Sequence, residues 1–303
     1  MHDTKTLIIA NPVAKRGEGA RAAYHVRRLL REALGTGAVD EVQTASAGQA
    51  TFLAAGAVGA YGTVVVVGGD GVIHEVANGL MSLEPGERPA LGVVPVGSGN
   101  DYARTLGMSE NVEEAVAQLL VSKPRLLDVG QVNEEYFVET LSFGLDAAIA
   151  LGTVERRKTT QKTGRSLYFD VGIDQLLHHL VSYRVQGAFD GQRALDVMAM
   201  TFAVQIGPTY GGGFRICPDA LPDDGLFDIC FAEAPWSVPR AVLVFSRAKK
   251  GKHVHARGIN FDRASELVLR FDEQLPAQAD GEKVEGTDFV ITMHERALPV
   301  LLP

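Results

Sequence analysis

The sequence predicts two domains of different class, an α/β domain followed by an antiparallel all-β domain. Over the first 125 residues, short β-branched runs alternate with longer helical patterns, which is typical of right-handed βαβ units in a mostly parallel sheet. After Leu127, short strand patterns are separated by Gly, Pro and Asp turns. That spacing favours an antiparallel sandwich or barrel over further βαβ units.

The elements of the N-terminal half follow from apolar periodicity. The clearest is residues 63–67, a threonine followed by four valines, because a strand buried on both faces is continuously apolar. The predicted strands are residues 7–9, 39–43, 63–67 and 90–94. The predicted helices are residues 20–34, 49–59 and 72–81, and a further helix begins at 101 and extends to 106.

The elements of the C-terminal half are mainly short strands. These are residues 129–132, 136–141, 199–206, 226–231 and 267–271, interrupted by helical patterns around 167–183 and 237–247. An Ala/Leu-rich helix stops near Lys123 and Pro124, where we place the domain boundary. We therefore predict one domain over residues 1–125, completed by the tail 288–303, and a second domain over residues 126–287.

The composition excludes several function classes. The chain has 303 residues, with 29 Lys and Arg against 37 Asp and Glu, which gives a net charge of −8. Because a dedicated nucleic-acid binder is usually basic, we expect no nucleic-acid partner. Two cysteines are too few for a disulfide scaffold or a Cys-rich zinc module. No apolar run approaches the ~20 residues that cross a bilayer, so we expect a cytoplasmic protein.

The strongest local signal is the turn Gly68-Gly69-Asp70-Gly71 after the valine-rich strand. Glycines let a ligand approach the backbone closely, and the following helix offers unpaired N–H groups and a positive dipole end that suit phosphate. Asp70 would repel an anion unless a divalent metal lay between them. A tight strand-to-helix turn with an Asp cap is the structural alternative, and this segment alone leaves both interpretations open.

The next strand ends in a similar turn, Gly97-Ser98-Gly99-Asn100-Asp101. Two such turns on neighbouring strands would form one crevice at the carboxyl edge of the sheet, where open α/β sheets bind ligands. The chain has no Walker A loop, and Gly97 and Gly99 lack the third glycine of a dinucleotide fingerprint. The occurrence of two glycine-rich strand-to-helix turns favours nucleotide or phosphate binding.

Two acidic turns lie in the β-rich half. Asp224, with nearby backbone carbonyls, could ligate a hard cation, or it could belong to an ordinary Asp-Gly hairpin. Asp280 and Glu282 flank Gly281 in a turn between strands, where they could serve as a general base or contact a metal, or form a solvated hairpin. Taken in isolation, both turns favour the hairpin interpretation.

Other candidate residues give weaker signals. His253 and His255 fit a surface histidine pair, and Cys217 and Cys230 lack metal-type spacing and fit buried thiols. The basic runs within residues 156–158 and 247–252 are typical of solvated faces. On an acidic protein, these runs could also meet an anionic membrane.

Taken in this order, the motifs resemble those of the diacylglycerol and sphingosine-type lipid kinases, most closely the bacterial YegS-like group. The resemblance covers nearly the whole chain and rests on Asn11-Pro12, GGDGVIHEVANGL, PVGSGNDYAR, GGGFRICPDALPDDGLFD and the late DGE. It implies a Rossmann-like, NAD-kinase-like α/β domain and a C-terminal antiparallel β-sandwich that binds lipid, with the active site in the cleft between them. It also implies ATP as the phosphoryl donor.

The resemblance assigns site residues by position. The nucleotide site would comprise Asn11, Thr44, Gly68, Gly69, Asp70, Gly71, Val72, Ile73, His74 and Ser98, with Asp70 and Asp101 in the metal and water network near the phosphates. Mg²⁺ would be held by the loop of Leu221, Asp224 and Leu226, the two leucines acting through their carbonyls. Glu282 would accept the proton of the acceptor hydroxyl, with Asp280 beside it.

The sequence departs from the family pattern at a few positions. Val72 stands where Thr is commoner, which removes a hydroxyl, whereas Ser98 replaces Thr and keeps one. Lys15 and Arg16 stand where the family often has Gly followed by Lys, so either is a candidate for the cation that faces the phosphates.

We therefore expect an ATP- and Mg²⁺-dependent lipid kinase that transfers the γ-phosphoryl group to a lipid hydroxyl at the inner membrane surface. Diacylglycerol, giving phosphatidic acid, is the first choice of acceptor. Such a transfer depends on positioning and charge neutralisation more than on covalent help from the protein. The alternatives are an NAD kinase-like enzyme and a catalytically silent nucleotide-binding regulatory protein. We also expect peripheral membrane contact and allow for a homodimer.

Overall fold

The computed structural model describes residues 5–157, 159–162 and 164–303. Lys158, which belongs to the basic run predicted at 156–158, lies outside the described residues. The chain divides into two compact units. Unit 1 extends to Val129 and includes Arg296–Pro303, and unit 2 comprises Gly130–Glu295.

Unit 1 is built on a parallel sheet. Its strands are β1 (Thr6–Ala10), β2 (Val39–Gln43), β3 (Thr63–Gly68) and β4 (Ala90–Pro95), in the order β2-β1-β3-β4. The four valines of β3 are fully buried, which explains their continuous apolar run. Val300, near the C-terminus, pairs in parallel with Leu91 of β4, so the last segment of the chain joins this sheet.

The helices of unit 1 connect these strands. They are α1 (Ala14–Leu34), α2 (Gln49–Ala55), α3 (Asp70–Met81), α4 (Asp101–Thr105) and α5 (Val112–Val121). The first turn of α1 is irregular because Lys15, Arg16 and Gly17 have positive φ angles. The regular helix therefore begins nearer to the predicted start at residue 20. α5 begins with a side-chain cap, in which Asn111 Oδ1 accepts the N–H of Glu114 at 3.0 Å.

Unit 2 consists mainly of antiparallel strands. The strand β5 (Lys123–Val132) leads into it, followed by β6 (Glu135–Phe137), β7 (Thr140–Gly144), β8 (Tyr183–Phe189), β9 (Arg193–Gln205), β10 (Phe227–Glu233), β11 (Ile259–Ala264), β12 (Glu266–Phe271), β13 (Ala277–Ala279), β14 (Glu282–Lys283) and the first part of β15 (Asp288–Leu302). The long strand β9 pairs with β8 through its first half, and with β7 and β10 through its second half. The prediction of an α/β domain followed by an antiparallel β domain is confirmed.

Aromatic side chains fill the core of unit 2. Phe137, Phe143, Phe202, Phe227 and Phe289 are all almost completely buried. The rings of Phe143 and Phe289 lie 4.8 Å apart between centroids in a tilted arrangement. Large rings that pack in this way supply much of the apolar surface that a β domain must bury.

Three helices of unit 2 differ in part from the sequence-based prediction. They are α6 (Leu145–Arg157), α7 (Gly164–His178) and α8 (Val238–Ala248). The sequence analysis missed α6, whose segment contains Gly152 and Thr153, both weak helix formers. The helix predicted at 167–183 is wrong at its end, because Tyr183 already begins β8. None of the described helices is long and apolar enough to span a bilayer.

Candidate functional site

The two glycine turns of unit 1 pack directly against each other. β3 ends at Gly68, and the N–H of Val96 donates to the Gly68 carbonyl at 2.7 Å. A Cβ atom on Gly69 would lie 2.8 Å from the Gly97 Cα, and one on Gly97 would lie 2.5 Å from the Gly69 Cα. Glycine is therefore required at both positions by backbone packing, before any ligand is considered.

Asp70 joins the first glycine turn to the second. Its Oδ2 accepts the N–H of Asn100 at 2.8 Å, and its Oδ1 accepts the N–H of Tyr102 at 3.3 Å. A Cβ on Gly99 would lie 2.7 Å from Asp70 Oδ2 and 3.2 Å from Asp101 Oδ2, so both carboxylates border this glycine. The pair predicted to join a metal and water network is therefore brought together.

Arg104 balances the charge of Asp101. Its Nη1 donates to Asp101 Oδ1 at 2.7 Å, and its Nη2 donates to the Gly99 carbonyl at 3.0 Å. Asp101 is only 7% exposed, so this nearby cation offsets part of the cost of burying a carboxylate. Arg104 is a site residue that the motif alone did not identify, although its spacing of three residues from Asp101 on a helix was a usable signal.

The other nucleotide-site residues fall into two groups. Asn11, Thr44 and Ser98 follow β1, β2 and β4, so they lie with Gly68 at one edge of the parallel sheet. In contrast, the side chains of Val72, Ile73 and His74 are all less than 7% exposed. A nucleotide contact from these three residues would have to come from the backbone of the first turn of α3.

In unit 2, the Asp-Gly-Glu segment forms a two-residue hairpin turn between β13 and β14. Asp280 and Gly281 both have positive φ angles, as such a turn requires. The Asp280 carboxylate accepts the N–H groups of Val138, Glu139 and Thr140 at 2.8, 3.0 and 3.0 Å. Asp280 therefore links the hairpin by hydrogen bonds to residues 138–140, at the start of β7.

Glu282 has a different environment from Asp280. It is exposed at the start of β14, and its side chain forms no hydrogen bond or ion pair with the residues that the structure describes. Its lone pairs are therefore available to accept a proton. The three backbone hydrogen bonds of Asp280 favour Glu282 as the proton acceptor, an assignment that stays a prediction.

The acidic turn predicted to hold Mg²⁺ also lies in unit 2. Asp224 accepts the N–H of Leu226 at 3.2 Å and forms an ion pair with Arg263, whose Nε also lies 3.4 Å from Asp228. Leu221 is half exposed. Within the described residues, no group of three or more His, Cys, Asp or Glu side chains is arranged to hold a metal ion. Arg263 is thus a neighbour of the turn that no sequence signal identified.

A largely apolar pocket lies within unit 2 between the helices α6, α7 and α8 and the strands β9 and β10. It encloses about 670 Å³, including its open mouth. Asp146 is one of its few polar side chains and accepts the hydroxyl of Tyr168 at 2.8 Å. Burial raises the pKa of Asp146 to about 7. Trp236, the single tryptophan of the chain, also lines the pocket.

Two family models match the chain in sequence. The model described as "Diacylglycerol kinase catalytic domain" matches residues 5–132, and the model described as "YegS C-terminal NAD kinase beta sandwich-like domain" matches residues 139–302. The chain is 31% identical over 241 residues to a diacylglycerol kinase of Bacillus subtilis, covering 79% of this chain and 77% of that protein. It is 30% identical over 246 residues to a "Probable lipid kinase YegS-like" of Yersinia pestis, covering 80% of each.

Solved structures share the fold. A diacylglycerol kinase from Bacillus anthracis superposes with a TM-score of 0.78 at 22% identity, over 99% of this chain and 97% of that one. An NAD kinase from Archaeoglobus fulgidus, crystallised with ATP, gives a TM-score of 0.53 at 14% identity, over 99% and 93%. The second similarity is distant. From the sequence matches, the chain belongs to the diacylglycerol kinase-like family of lipid kinases that includes the YegS-like proteins.

Proposed function

We propose that this protein transfers the γ-phosphoryl group of ATP to the hydroxyl of diacylglycerol and so produces phosphatidic acid. The observation that carries this proposal is the apolar pocket of unit 2. Such a pocket suits the acyl chains of a lipid acceptor, whereas the acceptor of an NAD kinase is a polar dinucleotide. The wall of the pocket is built mostly from apolar side chains of α6, α7, α8, β9 and β10, with few polar groups, as a site for acyl chains requires. Family membership supports the same assignment.

The turns of unit 1 suit the phosphates of ATP. Gly69 and Gly97 let the two turns pack backbone to backbone, so no side chain of these residues stands between the turns and a ligand. α3 begins at Asp70, directly after β3, so the positive end of its dipole lies at this edge of the sheet. The two glycine turns and the N-terminus of α3 therefore fit the phosphates of a bound nucleotide.

Mg²⁺ would neutralise the phosphate charge when bound. The Asp224 carboxylate and the carbonyls of Leu221 and Leu226 are oxygen donors of the kind that this cation prefers. Because Arg263 is paired with Asp224, metal binding at this loop would require Arg263 to release the carboxylate. Asp70 and Asp101 supply two further carboxylates, in unit 1.

Glu282 would accept the proton of the acceptor hydroxyl. An exposed carboxylate with no partner in the described chain can approach a substrate, whereas Asp280 is engaged by three backbone N–H groups. The acyl chains would occupy the apolar pocket. Burial raises the pKa of Asp146 to about 7, which favours its protonated form over that of an ordinary aspartate, and a protonated carboxyl can donate a hydrogen bond to a polar lipid group.

Peripheral membrane contact is part of the proposal. α8 carries Leu243, which is 52% exposed, and ends in the basic run of Arg247, Lys249 and Lys250. Lys249 also lies over the ring of Phe169, with Nζ 5.5 Å from its centroid. Exposed apolar and basic groups in one region suit an anionic bilayer, which is also where diacylglycerol resides.

The test is a kinase assay with a panel of acceptors. Purified protein is incubated with radiolabelled ATP and with vesicles that contain diacylglycerol, monoacylglycerol, a sphingoid base or no acceptor, and separately with NAD. We expect labelled phosphatidic acid with diacylglycerol, and its loss when EDTA removes Mg²⁺. ATP consumption driven by NAD and not by lipid would overturn the proposal in favour of an NAD kinase. No turnover with any acceptor would support a silent regulatory protein.

A second measurement is independent of turnover. Because Trp236 is the single tryptophan and lines the pocket, its emission reports on pocket occupancy. We expect a saturable change in this emission when a short-chain diacylglycerol is added without ATP. A change of the same size with a soluble nucleotide alone would contradict the assignment of the pocket to lipid.

A further inference from the structure

The strand β10 presents its alternate side chains to two different environments. Phe227, Ile229 and Phe231 pack into the core of unit 2, whereas Asp228 and Cys230 point to the opposite face of the strand. Cys217, from the turn before β10, covers that second face, and its Sγ donates to the Asp228 carbonyl at 3.5 Å. The two cysteines of the chain therefore meet on one face of β10.

The two thiols are neighbours in the fold. Cys217 and Cys230 belong to one small buried cluster with Ala220, and each thiol shifts the pKa of the other. Each is less than 5% exposed. Both are free thiols. A disulfide between them would therefore join two side chains of the same cluster.

A histidine lies against this pair. The sequence analysis placed His253 in a surface pair, but this is wrong, because His253 is only 2% exposed. Its Nε2 is bonded to the Ile216 carbonyl at 3.0 Å and therefore carries the proton. Its Nδ1 has no nitrogen or oxygen partner in the described chain, which leaves it for the Cys230 thiol.

The environment makes the two thiols unequal. The neighbouring Cys217 thiol and the imidazole of His253 lower the pKa of Cys230 to about 6, whereas burial raises the pKa of Cys217. The other ionisable groups nearby are Asp146, in the same pocket, and Asp228 on the same strand. Cys230 is thus suited to attack, and Cys217 to resolve the product of that attack.

The pocket gives Cys230 a route to small apolar molecules. Cys230 and His253 both line the open pocket, whereas Cys217 is not part of its wall. An organic hydroperoxide can therefore reach Cys230 first. Because the wall is mostly apolar, it favours a hydroperoxide with a hydrocarbon group over hydrogen peroxide itself.

We propose that Cys230 and Cys217 form a redox-sensitive dithiol in the wall of the pocket, in which an apolar hydroperoxide oxidises Cys230 and Cys217 then closes a disulfide. The Cys230 thiol gives its proton to Nδ1 of His253, and the thiolate attacks one oxygen of the hydroperoxide. The O–O bond breaks, and the alkoxide leaves as an alcohol after it takes that proton from Nδ1. Cys230 becomes a sulfenic acid. The Cys217 sulfur then attacks the Cys230 sulfur, and the hydroxyl leaves as water with the Cys217 proton. In sum, two thiols are oxidised and one hydroperoxide is reduced to an alcohol.

The test follows the oxidation by mass and does not depend on kinase activity. The full-length protein is treated with cumene hydroperoxide, and in parallel with hydrogen peroxide, and sampled for intact mass and free thiol content. We expect wild-type protein to lose two hydrogen atoms and both thiols, faster with cumene hydroperoxide, and to regain them with dithiothreitol. Cys217→Ser should stop at a sulfenic acid that dimedone traps at residue 230. Cys230→Ser should react far more slowly.

Two further variants separate the roles. His253→Gln should slow the trapping of the sulfenic acid in the Cys217→Ser background, whereas His255→Gln, at an exposed position, should not. Peptide mapping of oxidised wild-type protein identifies the linkage even where a variant fails to fold. Oxidation of wild type at the rate of Cys230→Ser, or a product without a link between residues 217 and 230, would overturn the proposal.

Discussion

Asp280 and Glu282 lie two residues apart, yet the structure predicts that their substitution has opposite effects. Asp280 holds three backbone N–H groups, and the residues that donate them, Val138, Glu139 and Thr140, are each less than 5% exposed. These N–H groups lose their acceptor in buried surroundings when Asp280 is removed. Glu282 is exposed and has no partner in the described chain. Asp280 should therefore matter for stability, and Glu282 for chemistry.

The magnitude follows from the number of donors. An unsatisfied buried donor costs about 1–3 kcal/mol, so Asp280→Ala should cost at least ~3 kcal/mol from the three donors. Because Asp already occupies the positive φ, Ala adds only the smaller difference in tolerance between the two residues. For a unit of this size, 1 kcal/mol lowers the melting temperature by about 2–4 °C, so we expect a fall of roughly 10 °C. Asp280→Asn keeps one acceptor oxygen for the N–H groups of Glu139 and Thr140 and loses the acceptor for Val138, so its fall should be smaller.

The assay combines thermal unfolding with steady-state kinetics on diacylglycerol vesicles. Glu282→Gln should leave the melting temperature within about 2 °C, because surface changes cost under ~0.5 kcal/mol. It should lower kcat by ~10²- to 10⁴-fold while the affinity for ATP changes little. A stable but inactive Asp280→Asn beside an active Glu282→Gln would reverse the roles. A normal melting temperature for Asp280→Ala would refute the argument from the three donors.

Three further predictions concern other parts of the molecule. Asp70→Asn should weaken Mg²⁺-dependent ATP binding, measured by calorimetry, and equal affinity with and without the charge would exclude the role. Replacing Lys249, Lys250 and Lys252 with Gln should reduce sedimentation with anionic vesicles, by about 1 kcal/mol per charge at low salt and less at high salt. Equal sedimentation at low salt would make this run a solvated face. Alkylation of Cys230 by iodoacetamide should rise with pH up to about 6 and then level off, because the thiolate reacts and the pKa is lowered to about 6. A rate that still climbs steeply toward pH 8.5 would indicate an ordinary thiol.

The sequence was sufficient to predict those elements that neighbouring residues along the chain determine. The valines of β3 and the Asp-Gly hairpin at Asp280 follow from periodicity and turn chemistry, and both are present. The pairing of Asp224 with Arg263 and the burial of His253 join segments 37 or more residues apart. Such contacts depend on tertiary packing, which spacing along the chain does not encode. The opposite environments of Asp280 and Glu282 escaped the sequence analysis for the same reason.

The aspartates of the two clearest motifs share a structural function that the motifs alone conceal. Asp70 accepts backbone N–H groups of Asn100 and Tyr102, and Asp280 accepts those of the segment that enters β7. In each unit, the carboxylate that the motif predicts to be catalytic therefore also holds two chain segments together through backbone hydrogen bonds. Loss of activity after removal of either side chain is therefore ambiguous on its own. Asparagine is the informative replacement, because it keeps an acceptor for the loop and removes the charge. A fall in Mg²⁺-dependent binding by Asp70→Asn at an unchanged melting temperature would thus report on charge and not on the loop.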